Sequence, residues 1–280
     1  MTARRADLGG AARRDDGTRL AFQVQGPYGA PALLLLQGQA NHHGWWDRLR
    51  DAFARTYLTI TLDYRGTGAT TVPEALLDGP DGWSTPEFAD DVAAVLRALG
   101  RERAHVYGTS MGGRIAQHLA AAHPDLVDRL VLACTSPGGS LAVERDADVR
   151  RALGDPDPAV RLAASFDLFY TPDWVARHGG VEHAPRDLFG DPAMDPRAAR
   201  WHLRVSGRHD ATAVLGSIAA PTLVLHGTDD RMTPAVNAEV LADAIPGARL
   251  HLDEDGRHGF FDEHAHDVTP RVLAHLSAGS

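Results

Sequence analysis

Six short, largely apolar runs punctuate this chain, none longer than six residues: 32–36 (ALLLL), 57–62 (YLTITL), 104–107 (AHVY), 130–133 (LVLA), 223–225 (LVL) and 248–252 (ARLHL). Uninterrupted apolar strands are what a parallel sheet needs when helices cover both of its faces. Residues 18–25 (TRLAFQVQ) alternate instead and read as a further strand, entered through the turn Asp15-Asp16-Gly17. Between the runs lie helical patterns at 85–99, 112–122, 234–244 and 264–276. The first opens on Thr85-Pro86-Glu87, with a Thr cap and Pro in the first helical position. It carries Phe88, Val92, Val95, Leu96 and Leu99 on one face and stops at Gly100. Strands alternating with helices imply right-handed crossovers in an α/β sheet.

One stretch breaks this rhythm. Residues 137–215 hold no clear buried strand, but contain Pro-rich turns (Asp155-Pro156-Asp157-Pro158) and amphipathic pieces such as 160–169. A length of 280 residues suits one large domain, or one domain with an insertion. The expected organisation is a core of residues 1–136 and 216–280 with a helical lid at 137–215, and a disordered first dozen residues. The net charge of −9 argues against nucleic acid or an anionic membrane as partner. All 28 cations are arginine, which excludes a Schiff-base lysine and a P-loop lysine together. Cys134 is the only cysteine, so an internal disulfide and a Cys-based zinc site are excluded too. No apolar segment follows Arg4-Arg5, so no signal peptide is read. A cytoplasmic monomer or homodimer that acts on a small molecule without metal or cofactor is expected.

The stretch HVYGTSMGGRI (105–115) sets Ser110 between Gly108 and Gly112, behind a strand and ahead of a helix. Ser and Gly favour any tight turn. G-x-S-x-G between strand and helix, however, is the setting in which the two glycines let the elements approach and the hydroxyl is lifted out of the turn. The helix starting there aims N–H groups and a positive dipole end at the site. A serine hydroxyl needs a base, and the base an orienting acid, expected in the order Ser, Asp or Glu, His. LVLHGTDD (223–230) runs a strand into a turn with two acids. Asp230 is the choice, with Asp229 as alternative and helix capping as the other use of either. Of 15 histidines, His258 stands out, in DEDGRHGFF after the last strand. His251 should point to a sheet face, and His264 and His266 to the surface. DEHAHD (262–267) hints at metal ligands, but i and i+2 on a helix face different ways, so no metal is expected. The backbone N–H groups of Gln39, in the loop after 32–36, and of Met111 are the expected oxyanion donors. An aromatic pocket is expected from Trp45, Trp46, Phe166, Phe169, Tyr170 and Trp174, with at least one tryptophan spent on packing.

LLLLQG, DYRGTG (63–68), GTSMGG, PTLVLHGTDD and GRHGFF, in that order, resemble the α/β-hydrolase superfamily over residues 17–136 and 216–278. Within it the chain looks like the group around 3-oxoadipate enol-lactone hydrolase and aclacinomycin methylesterase. The resemblance implies a mostly parallel eight-stranded sheet flanked by helices with a helical lid. It also implies a nucleophile elbow at Ser110, with Asp230 as acid and His258 as base. The implied activity is that of a carboxylic ester hydrolase opening an ester or lactone through an acyl-enzyme. Carbon–carbon bond hydrolysis, cofactor-free lyase chemistry and a non-catalytic receptor are the alternatives on such a scaffold. One departure stands out: the superfamily's usual His-Gly pair is Gln37-Gly38 here. Gln37 either meets the ligand or holds the loop. Arg114, one turn after Ser110, either pairs with a substrate carboxylate or packs its stem and forms a salt bridge.

Overall fold

The computed structural model describes residues 5–79, 83–183 and 189–278. Its single sheet has eight strands: β1 (Arg5–Arg13), β2 (Arg19–Pro27), β3 (Ala32–Leu36), β4 (Leu58–Leu62), β5 (Ala104–Thr109), β6 (Val127–Ala133), β7 (Thr222–Gly227) and β8 (Arg249–Asp253). They lie in the order β1-β2-β4-β3-β5-β6-β7-β8. The six strands from β3 onward are parallel, and β2 and β1 add antiparallel at one edge. The helices of the core are α1 (Asp47–Phe53), α2 (Glu74–Asp78), α3 (Thr85–Ala98) and α4 (Met111–Ala122). Between β6 and β7 come α5 (Ala147–Leu153), α6 (Pro158–Phe169), α7 (Pro172–Arg177) and α8 (Pro196–Gly207). The chain closes with α9 (Val236–Ala244), α10 (Phe260–Glu263) and α11 (Ala265–Ser277). No helix among the described residues is long and apolar enough to cross a membrane.

The apolar runs are buried on both faces because each face has its own helical layer. Leu34, Leu36, Val106, Leu132 and Val224 pack with Phe88, Val92 and Leu96 of α3, Ile115 of α4 and Leu241 of α9. Leu33, Leu35, Tyr107, Val131 and Leu225 pack with Leu49 and Phe53 of α1 and Val268, Val272 and Leu276 of α11. Each fully buried Leu adds about 1.5–3 kcal/mol, so both faces of β3 contribute strongly to the core. The helix predicted over 85–99 forms as Thr85–Ala98 with its apolar face buried, but the capping side chain is Ser84, which accepts from the Glu87 N–H at 3.3 Å. The Thr85 hydroxyl lies 3.1 Å from His209 Nδ1 instead.

The expected disorder at the start is overturned for residues 5–13, which form edge strand β1 along the whole of β2; residues 1–4 lie outside the described residues. RADLGGAAR lacks an apolar run because small residues are needed there. Gly10 faces Phe22, and a Cβ on it would come within 2.5 Å of that ring. The stretch between β6 and β7 is helical as expected. α6, α7 and α8 each begin with an Asp or Thr cap followed by Pro: the side chains of Asp157, Thr171 and Asp195 accept from the N–H groups of Ala159, Trp174 and Arg197. α8 is part of the main core, since Ala198, Trp201 and Val205 are buried in the same cluster as β3.

DYRGTG builds a buried ion network. The Arg65 side chain is wholly buried and bonds both oxygens of Asp91, at 2.6 and 2.8 Å, and Asp16 at 2.7 Å. Removing Arg65 would leave the buried Asp91 with Arg14 alone, whose Nε lies 2.9 Å away, and so uncover much of its charge. Arg65→Ala is therefore expected to cost about 3–5 kcal/mol of unfolding free energy, read as an earlier urea midpoint. A change below about 1 kcal/mol would show that Asp91 is solvated in some other way.

Candidate active site

β5 ends at Thr109 and α4 begins at Met111, leaving Ser110 alone in the turn with φ 52° and ψ −118°. A side chain tolerates that region only when its surroundings hold it there. Here they do. The Ser110 N–H donates to Ala133 O at 2.9 Å, and its carbonyl accepts from the Thr135 hydroxyl at 2.8 Å. The flanking glycines are required by packing. A Cβ on Gly112 would lie 2.2 Å from Leu36 O, and one on Gly108 would lie 2.5 Å from Gly112 O. The sheet, the turn and α4 thus meet backbone to backbone, and the Ser110 side chain is left half-exposed.

His258 comes to this turn from the loop after β8, and Asp230 from the turn after β7. His258 Nε2 is 3.1 Å from Ser110 Oγ, and His258 Nδ1 is 2.8 Å from Asp230 Oδ2. Both His258 and Asp230 are buried. Asp229 is exposed and turned away, its N–H spent on Gly256 O, so the acid beside the imidazole is Asp230. Asp230 Oδ1 accepts from the Thr233 N–H at 2.8 Å. Burial by itself would raise the Asp230 carboxyl, but the imidazoles of His258 and His226 outweigh it and hold the group well below the usual carboxylate range. His226 was not singled out from the sequence. It sits in β7, wholly buried, with Nε2 3.1 Å from Asp230 Oδ2 and 2.8 Å from Thr233 O. Its signal was the polar interruption in LVLHG.

The loop after β3 is held at both ends. Gln37 is buried. Its side-chain N–H groups donate to Leu62 O at 2.7 Å and Asn41 O at 3.2 Å, and its own carbonyl accepts from the Tyr64 hydroxyl. Gln37 therefore holds the loop through its side-chain nitrogen, while its buried side-chain oxygen meets no hydrogen-bond partner among the described residues. His202 of α8, lowered to about 4 by burial, accepts from the Ala40 N–H at 3.1 Å and sits 2.8 Å from Arg65 O, tying DYRGTG to this loop. Nothing in the sequence around His202 signals that role. The N–H groups of Gln39 and Met111 donate to no other group among the described residues.

The aromatic residues divide three ways. Trp46 is buried in the core against Tyr107 and Phe261, so it is packing and not pocket wall. Trp45 is half-buried over Gly38, between that core and the helical insertion. Phe166, Tyr170 and Trp174 form a buried cluster inside the insertion, with Tyr170 stacked on Trp174 at 3.7 Å. They too are spent on packing. Phe169 alone of the insertion's predicted aromatics meets the candidate site, its ring edge against the His258 imidazole with centroids 4.8 Å apart. The His258 N–H donates to Leu168 O at 3.2 Å and the Gly259 N–H to Phe169 O at 2.8 Å, so the end of α6 grips the histidine loop directly.

Within DEHAHD, His264 Nδ1 is 2.5 Å from Asp253 and so is not a free surface group, while His266 is exposed. A set of possible metal donors that no sequence spacing signals is His42, His43 and Asp63, within 4.8 Å of one another. Part of that donor set is already used. His43 Nδ1 bonds Asp63 Oδ1 at 2.8 Å, Asp63 also accepts from the Ala69 N–H, and His42 Nδ1 accepts from the Gly44 N–H. The group reads as a clamp on the loop.

The salt bridge expected of Arg114 is not formed among the described residues. Its Nη1 donates to Ser206 O at 2.6 Å.

A twisted sheet with β3–β8 parallel, a strained serine after β5 and an acid and a histidine after β7 and β8 define a class of hydrolase. The family model of the alpha/beta hydrolase fold matches residues 31–265, and the chain belongs to that family. It is 33% identical over 267 residues to the provisionally named carbamate hydrolase RutD of Variovorax paradoxus, across 92% of this chain and 94% of that protein. The enol-lactonase from Burkholderia xenovorans superposes with a TM-score of 0.77 at 25% identity, covering 93% of this chain and 97% of its own. The esterase RhEst1 from Rhodococcus superposes with a TM-score of 0.76 at 26% identity, covering 97% and 99%.

Proposed function

We propose that this hydrolase cleaves an ester or lactone bond of a small to medium-sized, largely apolar metabolite through an acyl-enzyme on Ser110. The observation that carries the reading is the continuous path from Ser110 Oγ to His258 at 3.1 Å and on to Asp230 at 2.8 Å, starting from a strained turn. His258 takes the hydroxyl proton as Ser110 attacks the carbonyl carbon, and Asp230 orients and stabilises the resulting imidazolium. The N–H groups of Gln39 and Met111 receive the oxyanion. The imidazolium returns the proton to the leaving oxygen, and water then opens the acyl-enzyme with the same base. In this reading α5 to α7 act as a lid, with Phe169 shielding the imidazole from water. Cytoplasmic residence belongs to the same proposal, supported by the lone, buried Cys134.

A fluorophosphonate probe tests the nucleophile. Rapid labelling at Ser110 is expected, and its loss in His258→Ala. No labelling of the folded protein would overturn the reading. A second substrate reading, carbamate hydrolysis, is favoured by the name of the Variovorax relative. Turnover of purified protein on matched ester, lactone and carbamate substrates separates the two.

A further inference from the structure

Two arginines beside the reacting groups make no ion-pair contact with a carboxylate among the described residues. Arg114 lies in the first turn of α4, its backbone N–H bonded to Ser110 O at 3.2 Å. Its Nη1 reaches Ser206 O at the C-terminal end of α8, at 2.6 Å, and its Nε is buried with no acceptor. Arg145, half-buried ahead of α5, aims Nη1 at Met232 Sδ at 2.9 Å, and Met232 stands two residues after Asp230. One guanidinium is thus anchored on the helix of the serine, the other against the loop of the acid. Neither forms an ion pair with a carboxylate among the described residues. Glu144, the acid adjoining Arg145, is exposed and bonds to neither.

The two cations are close enough to disfavour each other. Burial first and the Arg145 charge second lower Arg114 to about 10, and burial likewise lowers Arg145. The same field reaches the buried imidazole of His209, lowered to about 2 by burial first and by Arg114 second. The C-terminal end of a helix carries only about half a negative charge and a thioether none, so neither guanidinium has a full counter-charge in bonding contact; Glu144 acts on both, and Asp230 on Arg145, only through space. A planar guanidinium fork matches the two oxygens of a carboxylate.

We propose that Arg114 and Arg145 form the recognition site for a carboxylate on the substrate, so that the bond cleaved belongs to a largely apolar monoanion. The proposal rests on Ser110 as the nucleophile, since it is the serine's own helix that carries Arg114. It also resolves the two uses open to Arg114 in favour of the substrate.

The test compares p-nitrophenyl butyrate with mono-p-nitrophenyl glutarate, which differ by one carboxylate. Wild type is expected to favour the glutarate ester at least about tenfold in kcat/KM. Arg145→Gln and Arg114→Gln are each expected to lose about ten- to hundredfold on that ester, mainly in KM, while the butyrate ester changes less than about threefold. Arg145 is half-buried, so its variant keeps the test open should Arg114→Gln not fold. Free glutarate is the second probe: it should raise the melting temperature of wild type and not of Arg145→Gln. Equal losses on both esters, or a wild type indifferent to the carboxylate, overturns the anion site while leaving the serine reading in place. Failure on both esters overturns the serine reading, and the glutarate melt then decides the anion site by itself.

Discussion

Ser110→Ala is expected to lower kcat/KM on an activated ester by about four to six orders of magnitude while the protein stays folded. The hydroxyl makes one contact that matters, to His258 Nε2 at 3.1 Å. The backbone that holds the turn bonds through the Ser110 N–H and C=O, and these survive the substitution. Alanine keeps a Cβ at φ 52°, so the strain at this position is unchanged. Binding and the proposed oxyanion donors, the N–H groups of Gln39 and Met111, would remain and leave a residue of catalysis above water. Steady-state kinetics with a thermal melt as control gives the answer. A folded Ser110→Ala protein with full turnover would mean that the attacking group lies elsewhere.

Asp230→Asn is expected to lower kcat by about three to four orders of magnitude, because an amide cannot hold the imidazole in the needed tautomer or stabilise its charged form. It also carries a stability signature with a definite sign. The folded Asp230 carboxyl sits below its ordinary value of about 3.9. The unfolded state therefore binds its proton more readily, and the stability this group contributes is fully present above about pH 4. It is lost as pH falls through the depressed folded value. Urea unfolding of wild type should weaken over that acid window more steeply than unfolding of Asp230→Asn. An identical acid dependence in both proteins would show that His258 and His226 do not hold the carboxylate charged.

Where a segment's conformation follows from its own residues, it is legible in the sequence. ALLLL at 32–36 has to be buried on both faces wherever it lies, and the GTSMGG turn needs its glycines whatever follows. Ser110, Asp230 and His258 could be picked out because each sits at the end of an apolar run, where a parallel sheet gathers loops along one edge. β1 leaves no apolar trace in RADLGGAAR because, among residues 8–13, only Ala12 is buried, and Gly10 makes room for the Phe22 ring. The aromatics of the insertion were overvalued as pocket lining: apolar character shows that Phe166, Tyr170 and Trp174 bury something, but not whether the neighbour is a substrate or another ring.

The order and spacing of apolar runs, glycines and polar turn residues determined the fold class of this chain and the three side chains at its centre, because those depend on local periodicity and on loops converging at one edge of a sheet. Only the tertiary structure decided that Gln37 is bound to Leu62 and Asn41, that His226 stands behind Asp230, and that α6 grips the His258 loop. It alone showed Arg114 and Arg145 without an ion-pair contact to a carboxylate among the described residues. Hydrogen bonds and unbalanced charges join residues far apart in the chain, across angles and distances that periodicity does not encode.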